Sequence, residues 1–318
     1  SKVVAHTIKT YSKFTIPYPY PVAQSIEAAN GMEYPMICFN FGRTEKDGTY
    51  SEGTKNGMIG VVIHEVGHNF FPMIINSDER QWSWMDEGLN TFVEYLAEEL
   101  WDNKFPSRRG PAAFITDYMK LPKEQLEPIM TNSENIIQYF ANAYMKPSCA
   151  LNILRETIMG REKFDYAFKT YSQRWAFKHP TPADFFRTME DASGVDLDWF
   201  WRGWFYGIDA VDISLDSIKW YKVDLEKNPE RKEYTQTHKA EPPSDHISKT
   251  RNKEAGIKYA IDEDPELRDF YVSYKPWEGA DSVITSTTWL YDETFTEKEK
   301  QEKFGDNNYY ELFFSNKG

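Results

Sequence analysis

Two histidines and a glutamate stand together in the pentapeptide HEVGH, residues 64–68. Residues four apart lie on the same face of a helix, so His64 and His68 can present two imidazoles to one metal ion. Zinc accepts imidazole nitrogens at about 2.0–2.1 Å, and two histidines with one carboxylate form a catalytic ligand set that leaves a fourth position for water. Glu65 lies beside this face without being needed as a ligand, which suits a general base acting on that water.

The third ligand has to come from another part of the chain. Glu87, in the stretch WMDEGLNTFVEY, is the natural candidate because it stands 19 positions after His68 (87 minus 68) on the next predicted helix. Asp86 beside it is a competing candidate. The segment around HEVGH is apolar, and burying two histidines and a glutamate there is costly unless they have partners. The sequence therefore predicts one zinc ion per chain, held by His64, His68 and Glu87.

Two helices are predicted to position these residues. The first runs from about Gly57 to near Pro72, and the second begins at Asp86. Residues 1–42 alternate aromatic and polar side chains and carry four prolines, a mixture that predicts short or edge strands.

More helices are predicted downstream, around residues 109–120, 134–145, 148–159 and 161–177. The next helix has Thr181 as its N-cap, Pro182 at its first position and Gly194 past its end. Residues 196–207 predict one more helix, apolar nearly all round and therefore buried.

A change of character after Gly207 predicts a boundary between a catalytic domain, residues 1–207, and a C-terminal extension, residues 208–318. In the extension, VDISLDSIKWYKVD and NNYYELFFS are predicted strands and TEKEKQEKF a short helix. Residues 224–267 are charged and poor in apolar side chains, and the sequence assigns them no role. A strand that finishes at the chain end suggests a piece cut from something longer.

Composition limits the class of protein. A chain of 318 residues, 40% of them hydrophobic, can bury a sizeable core. A formal net charge of -13 disfavours nucleic acid and anionic membranes as partners, because both would be repelled. The sequence has no apolar run of about 18 residues, so it predicts no membrane span, and its first residues lack the apolar region of a signal peptide. Cys38 and Cys149 are predicted to be buried thiols.

The spacing of the predicted ligands distinguishes between families of zinc peptidase. Phe71 and Ile74 stand where the metzincin motif needs Gly and His, which excludes that family. HEVGH, eighteen intervening residues and then Glu87 resemble the zinc site of the aminopeptidase-N type gluzincins, the superfamily that includes the leukotriene hydrolases. Thermolysin-type endopeptidases are similar, but their spacer is usually one residue longer and an aspartate typically stands where this chain has Thr91.

Two further segments carry the resemblance. NGMEYPMI, residues 30–37, resembles the GxMEN exopeptidase motif of the family. This implies that Glu33 binds the free α-amine of the substrate and that the backbone at Gly31 and Met32 pairs with the peptide. AYMKPSCALNILRETI resembles the YxKG segment, which implies that Tyr144 donates a hydrogen bond to the developing oxyanion. A phenol can do this without being charged itself.

The chain departs from the family pattern at four positions, none of which removes a proposed catalytic group: Asn30, Tyr34, Asp86 and Pro147. The resemblance covers about residues 14–207. It implies an α+β fold of the thermolysin-like catalytic type, mostly helical with a small sheet at the N-terminal side, followed by a mixed C-terminal extension. Relatives normally carry an N-terminal β-rich domain that supplies another amine-binding side chain, and nothing in this sequence matches it.

The resemblance implies a zinc aminopeptidase acting on peptides with a free N-terminus. Two alternatives stay open at this stage: a zinc endopeptidase, for which Glu33 would be incidental, and an inactive peptide-binding or scaffold relative. The form of the motifs around the predicted zinc site favours a bacterial protein that is exported to the periplasm or cell surface.

Overall fold

The computed structural model describes residues 2–42, 50–210, 213–222, 231–239, 245–268, 281–289 and 308–316. The chain divides into two compact units. One comprises Ser1–Ile208 and Asp245–Tyr274, and the other comprises Asp209–Ser244 and Lys275–Gly318. The first break lies next to the boundary expected at about residue 207. Asp245–Tyr274, by contrast, belongs to the first unit and does not continue the C-terminal extension.

The chain begins with a helix, α1 (Lys2–Phe14), so the prediction of strands across residues 1–42 is wrong for this segment. The prolines that favoured extended structure all lie at position 17 or later. Before them, buried side chains recur three or four positions apart and form one stripe along the helix. These buried residues are Thr7, Thr10, Tyr11 and Phe14.

The predicted small sheet lies between residues 24 and 41. Its strands are β1 (Gln24–Ala28), β2 (Met32–Tyr34) and β3 (Ile37–Phe41), in the order β1-β3-β2. β1 runs parallel to β3, and β2 runs antiparallel to it with Glu33 opposite Cys38. Within the described residues β2 is therefore an edge strand, and one side of its backbone is not used by the sheet.

The first predicted site helix is α2 (Glu52–Gly67). It begins earlier than expected because Ser51 is an N-cap, whose hydroxyl accepts a hydrogen bond from the Thr54 amide at 3.1 Å. It ends at Gly67 and does not reach Pro72, and the amides of Asn69 and Phe70 bond to carbonyls three residues back, at Val66 and Gly67.

The second predicted site helix is α3 (Leu89–Trp101), which continues directly from a π-helical turn at Trp84–Gly88. Asn90 fixes its position against α2, because its side-chain amide donates a hydrogen bond to the carbonyl of His64 at 2.9 Å. The Tyr11 hydroxyl lies 3.0 Å from the Asn90 carbonyl and 2.8 Å from its side-chain oxygen. Through these contacts with Asn90, α1 is also linked to the place where α3 meets α2.

The remaining helices of the first unit are α4 (Thr116–Met119), α5 (Lys146–Ile153), α6 (Arg161–Trp175), α7 (Pro182–Ser193), α8 (Asp198–Trp201), α9 (Ile247–Glu254) and α10 (Ala260–Glu263). Further π-helical turns lie at Phe140–Met145, Leu154–Ile158 and Arg202–Tyr206, and 3-10 turns lie at Ala112–Ile115, Lys123–Gln125, Ser133–Asn135 and Pro265–Leu267. The helix predicted around 109–120 is present over a shorter span, as a 3-10 turn that continues into α4. Of the helix predicted around 134–145, the last part is present as the π-helical turn that continues directly into α5. α7 has the predicted ends, with a capping box at Thr181 and Gly194 in the left-handed conformation at φ 66.

Aromatic side chains fill the core of this unit and hold the π-helical turn at Trp84. The indole of Trp84 lies 5.9 Å from the ring of Phe186 at an interplanar angle of 6°, and 4.9 Å from the ring of Phe205. The prediction that residues 196–207 are buried all round is wrong for Trp199, which is 60% exposed, and Tyr206, which is 54% exposed. The two cysteines are buried, as predicted.

Helix α9 packs against the rest of the first unit through a buried cluster of charged side chains. The Glu156 side chain is 1% exposed and pairs with Arg155 at 2.7 Å and Arg161 at 2.9 Å. Arg251 of α9 completes the cluster at 3.1 Å. A buried carboxylate needs such partners, because an unpaired charge in the interior is strongly destabilising.

In its described residues, the second unit contains two antiparallel strand pairs. β4 (Ile213–Lys222) pairs with β7 (Asn308–Asn316), so both strands predicted at these positions are confirmed. β5 (Arg231–Lys239) pairs with β6 (Asp281–Trp289). The helix predicted in TEKEKQEKF lies outside the described residues. In the part of the chain that the structure describes, no helix has the length and apolar character needed to cross a bilayer.

Gly88 allows the two π-helical turns at Trp84–Gly88 and Phe140–Met145 to approach each other closely. A Cβ at Gly88 would collide with the side chain of Pro147 and lie 2.9 Å from the Ala143 carbonyl oxygen. We expect Gly88→Ala to lower the free energy of unfolding by about 1–3 kcal/mol through overpacking, measured by urea denaturation.

Gly57→Ala is the matched control for this prediction. Gly57 lies inside α2 and a Cβ there meets no atom within 4 Å. Alanine should therefore be neutral or stabilise the helix by roughly 0.5–1 kcal/mol. Equal losses in both variants would show that the contact at Gly88 is not tight.

Candidate metal centre

Helix α2 presents His64 and His68 side by side in the interior. Their side chains are 9% and 1% exposed, and the two Nε2 atoms lie 3.1 Å apart. The four-residue spacing predicted this arrangement, because one helical turn separates the two rings. Both Nε2 atoms therefore face one common point.

Glu87 brings a carboxylate to the same point from the π-helical turn before α3. Its Oε2 lies 3.1 Å from the Nε2 of His64 and 3.4 Å from the Nε2 of His68. Tetrahedral ligands at about 2.0–2.1 Å from a zinc ion are separated by about 3.3 Å. The three atoms match that spacing, so this donor set fits zinc in both chemistry and geometry.

Asp86, the competing ligand candidate, lies on the other side of His68. Its Oδ1 is 3.0 Å from the Nδ1 of His68, and the carbonyl oxygen of Phe71 is 2.8 Å from the same nitrogen. The Phe71 carbonyl holds the proton on Nδ1, which leaves the Nε2 lone pair directed at the common point. Asp86 thus lies beside the Nδ1 of His68 and away from the common point, whereas the Oε2 of Glu87 lies at that point. Burial raises the pKa of Asp86 to about 7, although His68 partly opposes the rise.

Glu94 does the same for His64. Its Oε2 lies 2.8 Å from the Nδ1 of His64, and it also accepts a hydrogen bond from Arg109 at 2.8 Å. Sequence reasoning missed both residues. Glu94 could have been found, because it follows Glu87 by seven positions (94 minus 87), or two turns of one continuous helical segment. Arg109 lies in an irregular segment after α3, and no periodic pattern points to it.

The five titratable groups at this point, His64, His68, Asp86, Glu87 and Glu94, shift one another's pKa values. Burial by itself lowers the pKa of His64, but Glu94 and Glu87 outweigh burial and raise that pKa to about 9. His68 behaves in the same way, and Asp86 and Glu87 hold its pKa well above the usual value. Burial favours the neutral form of Glu87, yet hydrogen bonds from both imidazoles keep its pKa well below its usual range. Glu87 therefore stays ionised beside the two imidazoles.

Glu65 follows His64 on α2 and lies beside the ligand face. It is 7% exposed, and its Oε2 has no hydrogen-bond partner in the part of the chain that the structure describes. Burial raises its pKa, and Glu33 and Glu87 add to the rise while the two histidines oppose it. A carboxylate with a raised pKa is better suited to taking up and returning a proton near neutral pH.

The strand β2 brings Glu33 to the same place. One ligand atom each from Glu33, Glu65 and His68 lie within 4.8 Å of one another. Gly31 passes directly over Glu65, where a Cβ would collide with the Glu65 carboxylate. Met32, also on β2, is 38% exposed. The edge of β2 thus borders the metal centre.

Tyr144 lies on the π-helical turn at Phe140–Met145 and borders the candidate metal centre at another side than β2. Its hydroxyl donates a hydrogen bond to Oε1 of Glu87 at 2.6 Å. Its ring lies 5.8 Å from the His64 ring and 5.3 Å from the Phe140 ring. Burial and the negative charge of Glu87 both raise the pKa of Tyr144, so its hydroxyl stays protonated and remains a donor.

Comparison with known proteins relates the chain to one family of peptidases. The family model described as the peptidase family M1 domain matches residues 2–204. Aminopeptidase M1-A of Oryza sativa subsp. japonica is 25% identical over 222 residues, which is 65% of this chain and 25% of that protein. Probable aminopeptidase 1 of Sulfurisphaera tokodaii is 26% identical over 241 residues, covering 70% of this chain and 30% of that protein. The chain therefore spans between a quarter and a third of the length of these curated relatives.

Solved structures share the fold. An M1 zinc metallopeptidase from Deinococcus radiodurans superposes with a TM-score of 0.51 at 19% identity, covering 65% of this chain and 44% of that one. The mostly helical architecture with a small N-terminal-side sheet, as predicted from the sequence, is confirmed by this match.

The positions of Glu87 and Asp86 predict different losses of metal. Glu87→Ala should leave much less than one zinc per chain after dialysis, since a ligand is gone. Asp86→Asn should retain zinc but bind it about 10–100-fold more weakly, because only the orientation of His68 is affected. Elemental analysis and chelator competition would measure both effects, with the exposed Asp78→Asn as control. A greater loss in Asp86→Asn than in Glu87→Ala would reverse the assignment.

Proposed function

The chain belongs to peptidase family M1, and we propose that it is a zinc-dependent aminopeptidase that hydrolyses the N-terminal peptide bond of peptides. The observation that carries the proposal is the close approach of three groups with different tasks. A candidate amine-binding carboxylate, a candidate base and a candidate ligand, namely Glu33, Glu65 and His68, offer atoms within 4.8 Å of one another. A substrate amine beside Glu33 therefore has its first peptide bond beside Glu65.

The edge strand supports the binding of an extended substrate. A peptide can add to the free side of β2 through main-chain hydrogen bonds, as peptides do at other exposed sheet edges. Glu33 then pairs with the ammonium group at the end of that peptide through a charge-assisted hydrogen bond. The pairing selects for a free N-terminus and fixes which peptide bond lies at the metal centre.

His64, His68 and Glu87 would hold one zinc ion. Bound there, zinc would polarise the scissile carbonyl and lower the pKa of a water molecule. Glu65 takes the proton of that water as it attacks the carbonyl carbon, and then gives the proton to the leaving amine. Tyr144 donates its hydroxyl hydrogen to the carbonyl oxygen as negative charge develops there. Its position next to Glu87 keeps the donor within reach of that oxygen.

Replacing the base separates metal binding from catalysis. We expect Glu65→Gln to bind zinc as the wild type does and to lose at least about a hundredfold in kcat, because glutamine cannot accept the proton. Peptide cleavage and zinc content would be measured on the same sample. Cleavage at the wild-type rate by a zinc-loaded Glu65→Gln sample would rule out Glu65 as the base.

Blocking the substrate amine distinguishes an aminopeptidase from an endopeptidase. An N-acetylated peptide should not be cleaved, because it has no ammonium group to pair with Glu33, whereas the same peptide with a free amine should be cleaved. Glu33→Gln should raise KM for the free peptide and leave zinc content unchanged. Cleavage of both peptides at similar rates, by mass spectrometry, would favour an endopeptidase.

A further inference from the structure

Arg109 contacts both sides of the metal centre, and neither the family motifs nor the sequence pattern assigns it a role. Its Nη1 lies 2.8 Å from Oε2 of Glu94, the same oxygen that lies 2.8 Å from the Nδ1 of His64. The Glu94 side chain is only 5% exposed. One guanidinium group therefore neutralises the buried carboxylate that orients His64.

The same guanidinium contacts the aromatic side of the site. Its central carbon lies 5.1 Å from the ring centre of Phe140 and 5.5 Å from that of Tyr144. These two rings stack on each other at 5.3 Å with an interplanar angle of 28°. A planar cation placed against aromatic rings is attracted to them and restricts their motion. Arg109 therefore limits the orientations open to the Tyr144 ring, which has His64 as its other neighbour.

The backbone on both sides of Arg109 is held in place. Ser107 donates a hydrogen bond to Glu98 at 2.6 Å. Gly110 adopts a φ of 92°, and a Cβ there would collide with the ring of Tyr95. A left-handed conformation with no room for a side chain requires glycine. These contacts fix the direction from which the Arg109 side chain enters the site.

We propose that Arg109 is a positioning residue that sets the orientation of His64, through Glu94, and of Tyr144, through ring contact. This role rests on the proposed function for Tyr144, whereas the part that concerns His64 and zinc does not need turnover. Lysine cannot replace arginine fully at such a site, because it can pair with Glu94 as a point charge but has no planar group to lie against the rings.

The first measurement is zinc affinity, by competition with a chromogenic chelator, on the full 318-residue chain. We expect Arg109→Met to bind zinc about 10–100-fold more weakly, the usual cost of losing an outer-shell partner of a ligand. Arg108→Met is the matched control, since Arg108 is the exposed neighbour, and its zinc affinity should equal that of the wild type. Circular dichroism would confirm that both variants fold. Unchanged zinc affinity in a folded Arg109→Met variant would overturn the proposal.

The second measurement tests the contact with Tyr144 by using the conservative variant. Arg109→Lys should keep zinc affinity within about threefold of the wild type, because the ion pair with Glu94 remains. At saturating zinc its kcat should fall about tenfold or more with little change in KM, since a misplaced donor acts on the transition state. In a Tyr144→Phe background the same change should cost almost nothing. An additional tenfold loss in that background would refute the contact with Tyr144.

These measurements distinguish a failure of the proposed function from a failure of the proposed role of Arg109. If the wild type binds zinc and cleaves no peptide, the proposed function fails, and zinc affinity alone then decides whether Arg109 positions His64. If the wild type cleaves peptides and Arg109→Met matches it in both zinc affinity and kcat, the proposed function stands and the role of Arg109 is refuted.

Discussion

The first unit depends on charge compensation inside a largely aromatic core. His64 and His68 are almost completely buried, and each has an acceptor on Nδ1 that fixes which nitrogen carries the proton. Once Nδ1 is fixed in this way, both Nε2 lone pairs face the same point, and Glu87 approaches that point from the opposite helix. Each of these groups would be costly to bury alone, but together they partner one another at a candidate cation site.

The geometry of the site also depends on π-helical turns. Glu87 and Tyr144 both lie on such turns, which meet at Gly88, and their side chains are joined by a hydrogen bond of 2.6 Å. A π-helical turn inserts one extra residue into a helix and rotates the side chains that follow, and such turns often occur at functional sites. Here they turn two residues from different helices toward α2, and the packing of Trp84 against Phe186 holds one of the turns in place.

The sequence predicted most of what depends on local spacing. The four-residue interval between the two histidines depends on one helix only. Glu33, Glu87 and Tyr144 lie in short segments whose neighbouring residues resemble motifs of the family. It failed where long-range contacts decide the outcome. Helix α1 was missed because prolines further along favoured strands, although its buried stripe is regular. Arg109 was missed because its contacts join an irregular segment to helices elsewhere in the chain, and no periodicity records such contacts.

Helix α9 belongs to the first unit although the strands β4 and β5 of the second unit precede it in the chain. This order has a consequence for how the first unit folds while the chain is being synthesised. Glu156 is buried with three arginines, and one of them, Arg251, follows it by 95 positions. Asn252 bonds at 3.4 Å to Glu99, which it follows by 153 positions. During translation, these two carboxylates of the first unit are made long before their last partners emerge from the ribosome. The first unit can therefore reach its final set of buried contacts only after the polypeptide that forms β4 and β5 has already been made.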